Sequence, residues 1–372
     1  MKTKILIVVQ NISKAQEHEW YVEYINLEKF DIQFLLINCK GTFMDQFLVS
    51  RSVPVFHMTY SSKSELPGLT LRIFQLLRKE KFDIIHTHLF EATLAGLTAA
   101  RLAGIKKRIY TRHHSDYHHV YFPSAVKYDK YNNFLATAIV AISRNVQHIL
   151  IDKESAPVSK VHLVHHGIDL TDYRPGAVDD KRVSDLKNKY ELTGKGPFIG
   201  AISRFTAWKG VQFIVPAFKE ILKEYPGAIL ILANANGDYK SEILDLLKEV
   251  NSENVRLIQF ENDIAALYKT FDCFVHVPID ISSEAFGQTY LEALASEIPS
   301  VFTISGIAAE FVRDKVNAIV VPYKNSNAVK DAVLFVLSNR DSLSGMVQDG
   351  YDEVAARFDI HIKIAKLEQL YS

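Results

Sequence analysis

The sequence predicts an α/β protein made of two parallel-sheet domains. Strand-length apolar runs alternate with amphipathic helix patterns along the whole chain, the arrangement that lets helices cover a parallel sheet. The cycle restarts at Phe198–Ile202, after a stretch rich in proline, glycine and charge. At 372 residues the chain can give each of two domains a full core.

The first run, Ile5–Val9, follows Met1-Lys2-Thr3-Lys4 and superficially matches a signal peptide. It stops at Gln10, too short for an h-region, and no small-residue cleavage site follows. It therefore reads as the first parallel strand. Further strands are expected at Ile32–Ile37, Val53–Phe56, Ile84–His86, Arg108–Thr111, Ala138–Ile142 and Val161–His165, with helix patterns such as Leu71–Lys79 and Ala92–Ala103 between them. The join runs through Gly167-Ile168-Asp169 and Tyr173-Arg174-Pro175-Gly176 to Gly194-Lys195-Gly196-Pro197, and it divides residues 1–176 from 177–354. The second set of strands is Phe198–Ile202, Ala228–Ala233, Val255–Gln259, Phe274–Val277, Ser300–Thr303 and Ala318–Val321. Pro216, just inside the helix pattern that follows Phe198–Ile202, is expected to kink or delay that helix. A last helix runs from about Tyr351 to Leu370.

Apolar content of 48% and charged content of 23% are those of an ordinary soluble protein. Net charge is zero, so nothing global points to nucleic acid. Cys39 and Cys273 share no metal-ligand spacing and read as buried thiols in a reducing compartment. No apolar run approaches the ~18 residues of a membrane span, and a cytoplasmic location is expected. Charge is uneven, with 22 Lys+Arg against 16 Asp+Glu in residues 1–175 and 21 against 27 in the rest. Twelve of the 14 histidines also lie in that first part. Chance accounts for this as well as the alternative does, a first half that handles a phosphorylated or membrane-bound acceptor.

Four motifs stand at strand ends. The stretch Ser282-Ser283-Glu284-Ala285-Phe286-Gly287-Gln288-Thr289-Tyr290-Leu291-Glu292 follows an apolar strand and opens onto a helix, where backbone amides can face an anion. Its two acids are eight residues apart, which on a helix is roughly 12 Å, the reach of an extended ligand with polar ends. Ser203-Arg204-Phe205-Thr206-Ala207-Trp208-Lys209-Gly210 puts a cation on each side of a short loop, suited to phosphates, though such pairs are more often merely solvated. Asp83-Ile84-Ile85-His86-Thr87-His88 and Tyr110-Thr111-Arg112-His113-His114-Ser115 bring histidines to two strand ends. Lys106-Lys107-Arg108, with Arg101 and Arg112, makes a basic cluster that reads as a solvated loop, with anionic lipid as the sharper alternative. There is no P-loop, no Gly-x-Ser-x-Gly elbow and no dinucleotide fingerprint, since Gly194-Lys195-Gly196 precedes its strand.

Glu284-x7-Glu292 with Phe286-Gly287, together with Ser203-Arg204 and Lys209-Gly210, resembles the donor site of the family 4 retaining glycosyltransferases, the glycosyl transferases of group 1. The resemblance spans nearly the whole chain. It implies the GT-B fold, two Rossmann-like domains facing an interdomain cleft, with residues 1–176 binding the acceptor and 177–354 the nucleotide-sugar donor. It also implies that the last helix, about 355–372, packs back on the first domain. By resemblance Arg204 and Lys209 hold the donor diphosphate, helped by amides around Phe286, Gly287 and Gln288. Glu284 holds the sugar hydroxyls, Glu292 the ribose, and His113 meets the donor sugar in the transition state. His114 is a weaker candidate for that contact, and His118 and His119 are expected at the surface or in an acceptor loop.

Neither metal nor cofactor is implied, and no Asp-x-Asp offers the diphosphate–metal site of the other large glycosyltransferase fold. The implied partners are a nucleotide-sugar and a glycan or lipid-linked acceptor, with peripheral contact at the inner membrane surface as a further option. The chain departs from the family where paired glycines usually follow the first strand, which here reads Gln10-Asn11-Ile12-Ser13-Lys14-Ala15. A later Gly-x-Gly is replaced by Ala233-Asn234-Ala235-Asn236-Gly237. A nucleotide-sugar epimerase of the same fold and a non-catalytic sugar-nucleotide-binding subunit remain alternatives.

Overall fold

The computed structural model describes residues 2–174, 176–192 and 196–372; Pro175 and the Gly194-Lys195 part of the expected join lie outside them. The chain divides into two compact units, Met1–Gly167 with Ile360–Ser372, and Ile168–Asp359.

Seven strands build the first unit: β1 (Thr3–Gln10), β2 (Phe30–Ile37), β3 (Val55–Met58), β4 (Ile84–His88), β5 (Lys107–Arg112), β6 (Ala138–Ala141) and β7 (Val161–Leu163). They form one parallel sheet in the order β3-β2-β1-β4-β5-β6-β7. The register sets Ile5 beside Ile32 on one flank and Ile84 on the other. Ile5 to Val9 are wholly buried, as expected of a strand covered on both faces, and this is why the run looked like a signal peptide. The helix Leu66–Glu80 buries Leu69, Ile73 and Leu77, four residues apart, and stops at Lys81 in left-handed conformation. The helix Ile360–Tyr371 belongs to this unit and buries Ile360, Lys363, Ile364, Leu367 and Tyr371.

Six strands build the second unit: β8 (Phe198–Ile202), β9 (Ile229–Ala233), β10 (Val255–Ile258), β11 (Cys273–His276), β12 (Ser300–Phe302) and β13 (Ile319–Val320). Their order is β10-β9-β8-β11-β12-β13, again all parallel. In both sheets the order reverses beside the first strand, between β1 and β4 and between β8 and β11. The crevice outside the carboxyl ends of two such strands is where open parallel sheets bind ligands.

Two expectations about helices are corrected. The single last helix is two, Ser344–Phe358 and Ile360–Tyr371, assigned to different units. Asp359 between them is extended, and the Phe358 carbonyl accepts from the Ile168 amide at 2.8 Å instead of continuing the helix. The helix Val211–Ile221 begins ahead of Pro216 and runs through it, so the proline does not delay it. Both cysteines are free and buried. Among the described residues, no helix is long and apolar enough to cross a membrane.

Candidate active site

In the second unit the loops after β8 and β11 bring a cation and an acid together. After β8 the backbone turns at Ser203, whose amide bonds the end of β9, and passes through the 3-10 turn Ala207–Lys209 into the helix from Val211. Gly210 makes this possible. It has φ +77°, and a Cβ there would sit 1.8 Å from the Val277 carbonyl oxygen, so the β8 loop lies flush against the end of β11. Lys209 then reaches Glu284, with Nζ to Oε1 at 2.5 Å, and His276 at the end of β11 holds the same oxygen through Nε2 at 3.0 Å.

The loop bearing Glu284 is clamped from the far side. Ser305 Oγ accepts from the Glu284 amide at 3.0 Å, and the Ile307 amide donates to the Phe286 carbonyl at 2.8 Å. Gly306, at φ +54°, passes so close that a Cβ would lie 2.7 Å from that of Glu284. Burial alone would raise the Glu284 carboxyl, but the Lys209 charge and the His276 hydrogen bond outweigh it and hold it down at about 2. Thr206 Oγ1 and Ser283 Oγ, on the same two loops, are buried with no hydrogen-bond partner among the described residues. A ligand at these loops would supply the missing partners.

Glu292 stands apart. The helix here is only Gln288–Ala295, so Glu284 precedes it in irregular backbone and the twelve-ångström helical span does not apply. The Tyr268 hydroxyl donates to Glu292 Oε2 at 3.0 Å, and burial raises the carboxyl to about 7 against that bond. Arg204 is exposed on its loop, and its side chain bonds none of the described residues. The Phe286 ring packs against Phe358 with centroids 6.3 Å apart, Gly287 caps the helix and Gln288 begins it.

The first unit gathers imidazoles at its own switch point. His88 ends β4, and its Nδ1 lies 2.9 Å from Nε2 of His113, which follows β5. The His113 ring stacks on that of His166 at 5.6 Å and 20°. His86 bridges the Tyr371 hydroxyl and Thr111 Oγ1 at 2.7 and 2.8 Å. Lys363 Nζ donates to Glu17 Oε1 at 2.7 Å and lies 3.2 Å from His166 Nδ1. Burial lowers His18 to about 4, His86 to about 3, and His88, His113 and His166 below the ordinary imidazole value. Glu17 opposes these shifts and is itself held low: burial would raise it, but its close contacts with the His166 ring and the Lys363 ammonium prevail. Leu89, directly after His88, has φ +67°, an unfavourable backbone for leucine of the kind that collects at functional sites.

Several sequence expectations change here. His118 is buried, its Nδ1 2.7 Å from Asp129 Oδ2, and not at the surface. Arg112 is no part of a surface cluster: the residue is 2% exposed, and its guanidinium pairs with Glu154 at 2.5 Å and Asp129 at 3.1 Å. Arg108 donates to the carbonyls of Leu135 and Ile105, and Lys107 to that of Tyr371. The lipid-binding cluster therefore loses three of its five members to internal bonds. His276 and Ser305 around Glu284, Tyr268 beneath Glu292, and Glu17 and Lys363 around His113 were missed. His276 alone carried a sequence signal, as the histidine in the strand directly before the Glu284 loop.

Among the described residues, two groups have ligand atoms close enough to share a metal ion, Glu17/His113/His166 and His114/His118/Asp129. Each already meets a protein cation, Lys363 on Glu17 and Arg112 on Asp129.

Comparison with known proteins adds two family matches, Glycosyltransferase Family 4 over residues 27–172 and Glycosyl transferases group 1 over 183–353. The capsular polysaccharide biosynthesis glycosyltransferase CapM of Staphylococcus aureus is 25% identical over 317 residues, covering 83% of this chain and 81% of its own. The UDP-Gal:alpha-D-GlcNAc-diphosphoundecaprenol alpha-1,3-galactosyltransferase of Escherichia coli is 23% identical over 369 residues, with 94% and 90% covered. Among solved structures, Anabaena HepE in complex with UDP and glucose superposes with a TM-score of 0.85 at 19% identity, over 99% of this chain and 98% of that one. A glycosyltransferase from Rickettsia africae gives 0.83 at 20% identity, over 100% and 98%.

Proposed function

The chain belongs to the glycosyl transferases of group 1 and has their GT-B fold, and from that premise we propose a retaining, metal-independent transfer of a sugar from a nucleoside diphosphate to a hydroxyl acceptor. The observation that carries the reading is the Lys209–Glu284–His276 cluster at the β8/β11 switch point, with the Thr206 and Ser283 hydroxyls on its two loops lacking a partner among the described residues. As the acceptor oxygen bonds to the anomeric carbon, the bond from that carbon to the phosphate oxygen breaks. The electron pair stays on the diphosphate, which also takes the acceptor's proton. About two to three negative charges gather there, and preorganised donors must stabilise them.

Lys209 suits this task because an ammonium has three donors and can keep Glu284 while meeting a phosphate oxygen. Arg204, exposed and on the same loop, adds a second cation, and the start of the helix at Gln288 adds its amide dipoles. Glu284, ionised and fixed on three sides, accepts from sugar hydroxyls. Glu292 does the same for the ribose once it has released its proton. His113, neutral and braced by His88 and His166, can exchange hydrogen bonds with a sugar hydroxyl. Cell-surface polysaccharide or glycolipid is the product class, in keeping with the relatives named for capsular and lipid-linked sugars.

An acceptor carried in a bilayer also fits the surface of the first unit. Val120, Tyr121, Phe122, Tyr128, Tyr131 and Phe134 are exposed near exposed Lys127 and Lys130, a mixture suited to the headgroup layer. Tyr121→Ser with Phe122→Ser should abolish sedimentation with anionic vesicles, and unchanged sedimentation removes this reading.

The donor reading is tested by thermal stabilisation with UDP, GDP, ADP and CDP. UDP comes first, because relatives are named for it. A nucleotide at 100 times its dissociation constant contributes about 2.7 kcal/mol, a plain shift in Tm. No shift with any of the four defeats the proposal.

A further inference from the structure

In the first unit, two histidines and an aspartate that the sugar-transfer reading leaves unused converge from three elements. His114 follows β5, His118 lies in the helix Tyr117–Tyr121, and Asp129 lies in the helix Val126–Leu135. Their ligand atoms all stand within 4.8 Å of one another. Asp129 Oδ2 is 2.7 Å from His118 Nδ1, and Asp129 Oδ1 is 3.6 Å from His114 Nε2. The longer spacing is no hydrogen bond, and His114 Nε2 is buried with no hydrogen-bond partner among the described residues. It is close to the roughly 3.4 Å that separates two ligand atoms of one tetrahedral metal ion, each bound at about 2.1 Å. The His118 contact is shorter. It opens to a similar spacing if the ring carries its proton on Nε2 and turns Nδ1 to the metal.

Charge separates this cluster from the other one with metal-ligand spacing. Around Glu17, His113 and His166 a protein cation already takes the central place, for Lys363 Nζ is 2.7 Å from Glu17 Oε1 and 3.2 Å from His166 Nδ1. Around Asp129 the cation is shared. Arg112 bonds Glu154 through both terminal nitrogens, at 2.5 and 3.3 Å, and reaches Asp129 with one of them at 3.1 Å. Two carboxylates, their side chains no more than 2% exposed, thus face one guanidinium, with His119 Nε2 at 3.3 Å on Glu154. A divalent ion at Asp129 would balance the second carboxylate, and Arg112 would remain as the outer hydrogen-bond donor that ligating carboxylates commonly have. Arg112 Nε also donates to the His114 carbonyl at 3.1 Å, which fixes the backbone of one ligand.

Two imidazoles and a carboxylate suit zinc and its late first-row neighbours, whereas magnesium prefers oxygen ligands throughout. All three residues line a cavity of about 260 Å³, and the His114 side chain is 25% exposed, which gives an ion a way in. We propose that His114, His118 and Asp129 form a zinc-binding site that fastens the helix Tyr117–Tyr121 to the helix Val126–Leu135 and to the end of β5. The metal steadies the segment that carries the exposed Tyr121 and Phe122. The site belongs to the first unit and the donor reading to the second, so neither depends on the other.

The test uses the full chain without an affinity tag, and zinc chloride as the probe. Titration calorimetry should show a single zinc ion bound per chain, and magnesium chloride should not bind. X-ray absorption at the zinc edge should find nitrogen and oxygen ligands at about 2.0–2.2 Å with imidazole scattering. His114→Ala, at a partly exposed ring, should weaken zinc roughly 100-fold or more, since outer-shell changes alone cost 10–100-fold. His166→Gln, in the other cluster, should leave zinc affinity unchanged, and both variants should keep the wild-type circular dichroism. Zinc should also slow hydrogen exchange across residues 117–135 in the wild type and not in His114→Ala. No zinc binding, magnesium binding as well as zinc, a loss in His166→Gln instead of His114→Ala, or unaltered exchange each overturn the proposal.

Discussion

The two units repeat one design, a parallel sheet that reverses beside its first strand, and bring opposite chemistry to that reversal. The second unit places an ammonium, a carboxylate held near 2 and an exposed guanidinium there. The first places five histidines that burial keeps neutral, with one Lys363–Glu17 pair among them. The proposed transfer would use both. A departing diphosphate gathers charge and must meet fixed charge, whereas a hydroxyl acceptor carries none and is best met by groups that donate and accept. Which backbone crevice receives which chemistry is decided by a few side chains at strand ends.

The largest effect should come from the charged side. Lys209→Ala and Arg204→Ala should each lower turnover about 10²-fold or more, the range for a lost electrostatic stabiliser. Near-normal rates in steady-state assays of both would erase the contrast between the units.

Acid should move the units in opposite directions. Glu292, raised from 4.5 to about 7, contributes stability that is full below 4.5 and lost as pH rises through 7. His18, lowered from 6.5 to about 4, contributes stability present above 6.5 and lost as pH falls through 4. Taking the pH from 7 to 5 should therefore stabilise the second unit and destabilise the first, each on the order of 2 kcal/mol. Hydrogen exchange resolved by unit reads this, and Glu292→Gln should flatten the second unit's response alone. If Glu292 also binds ribose as its anion, nucleotide affinity should rise with pH through 7, and a flat affinity profile argues against that role.

Gly210→Ala removes no charge but puts a Cβ 1.8 Å from the Val277 oxygen. It should destabilise by about 2 kcal/mol and slow turnover by displacing Lys209, measured by urea unfolding and by rate. The smallest effect belongs to the neutral side. His113→Ala should slow transfer about tenfold, the equivalent of one lost hydrogen bond, with UDP affinity unchanged. A loss as large as that of Lys209→Ala would mean that the imidazole handles charge after all.

The strands were legible because a parallel sheet buried on both faces writes itself as continuous apolar runs. Phe198–Ile202 is found where the pattern put it, and every other expected strand lies within a few residues of its place. The break at Asp359 was not legible, since the helix pattern continues through it and the bond from Ile168, far away in the chain, takes the Phe358 carbonyl. Lys209 and Glu284 could be read as a phosphate-loop cation and a helix-start acid, yet their contact spans 75 positions and depends on the close pass at Gly210. Arg112 looked like a surface charge because nothing local shows Glu154 and Asp129 folding onto it.

From the sequence alone follow the parallel α/β class, the restart that makes two units, and the residue types waiting at the strand ends. These depend on periodicity and on short-range order, which one dimension records. The tertiary structure decided which of those residues are charged. Burial and a partner far away in the chain move Glu284 down, Glu292 up and the histidines to neutrality, and a linear pattern contains neither the depth of a side chain nor the identity of what it meets.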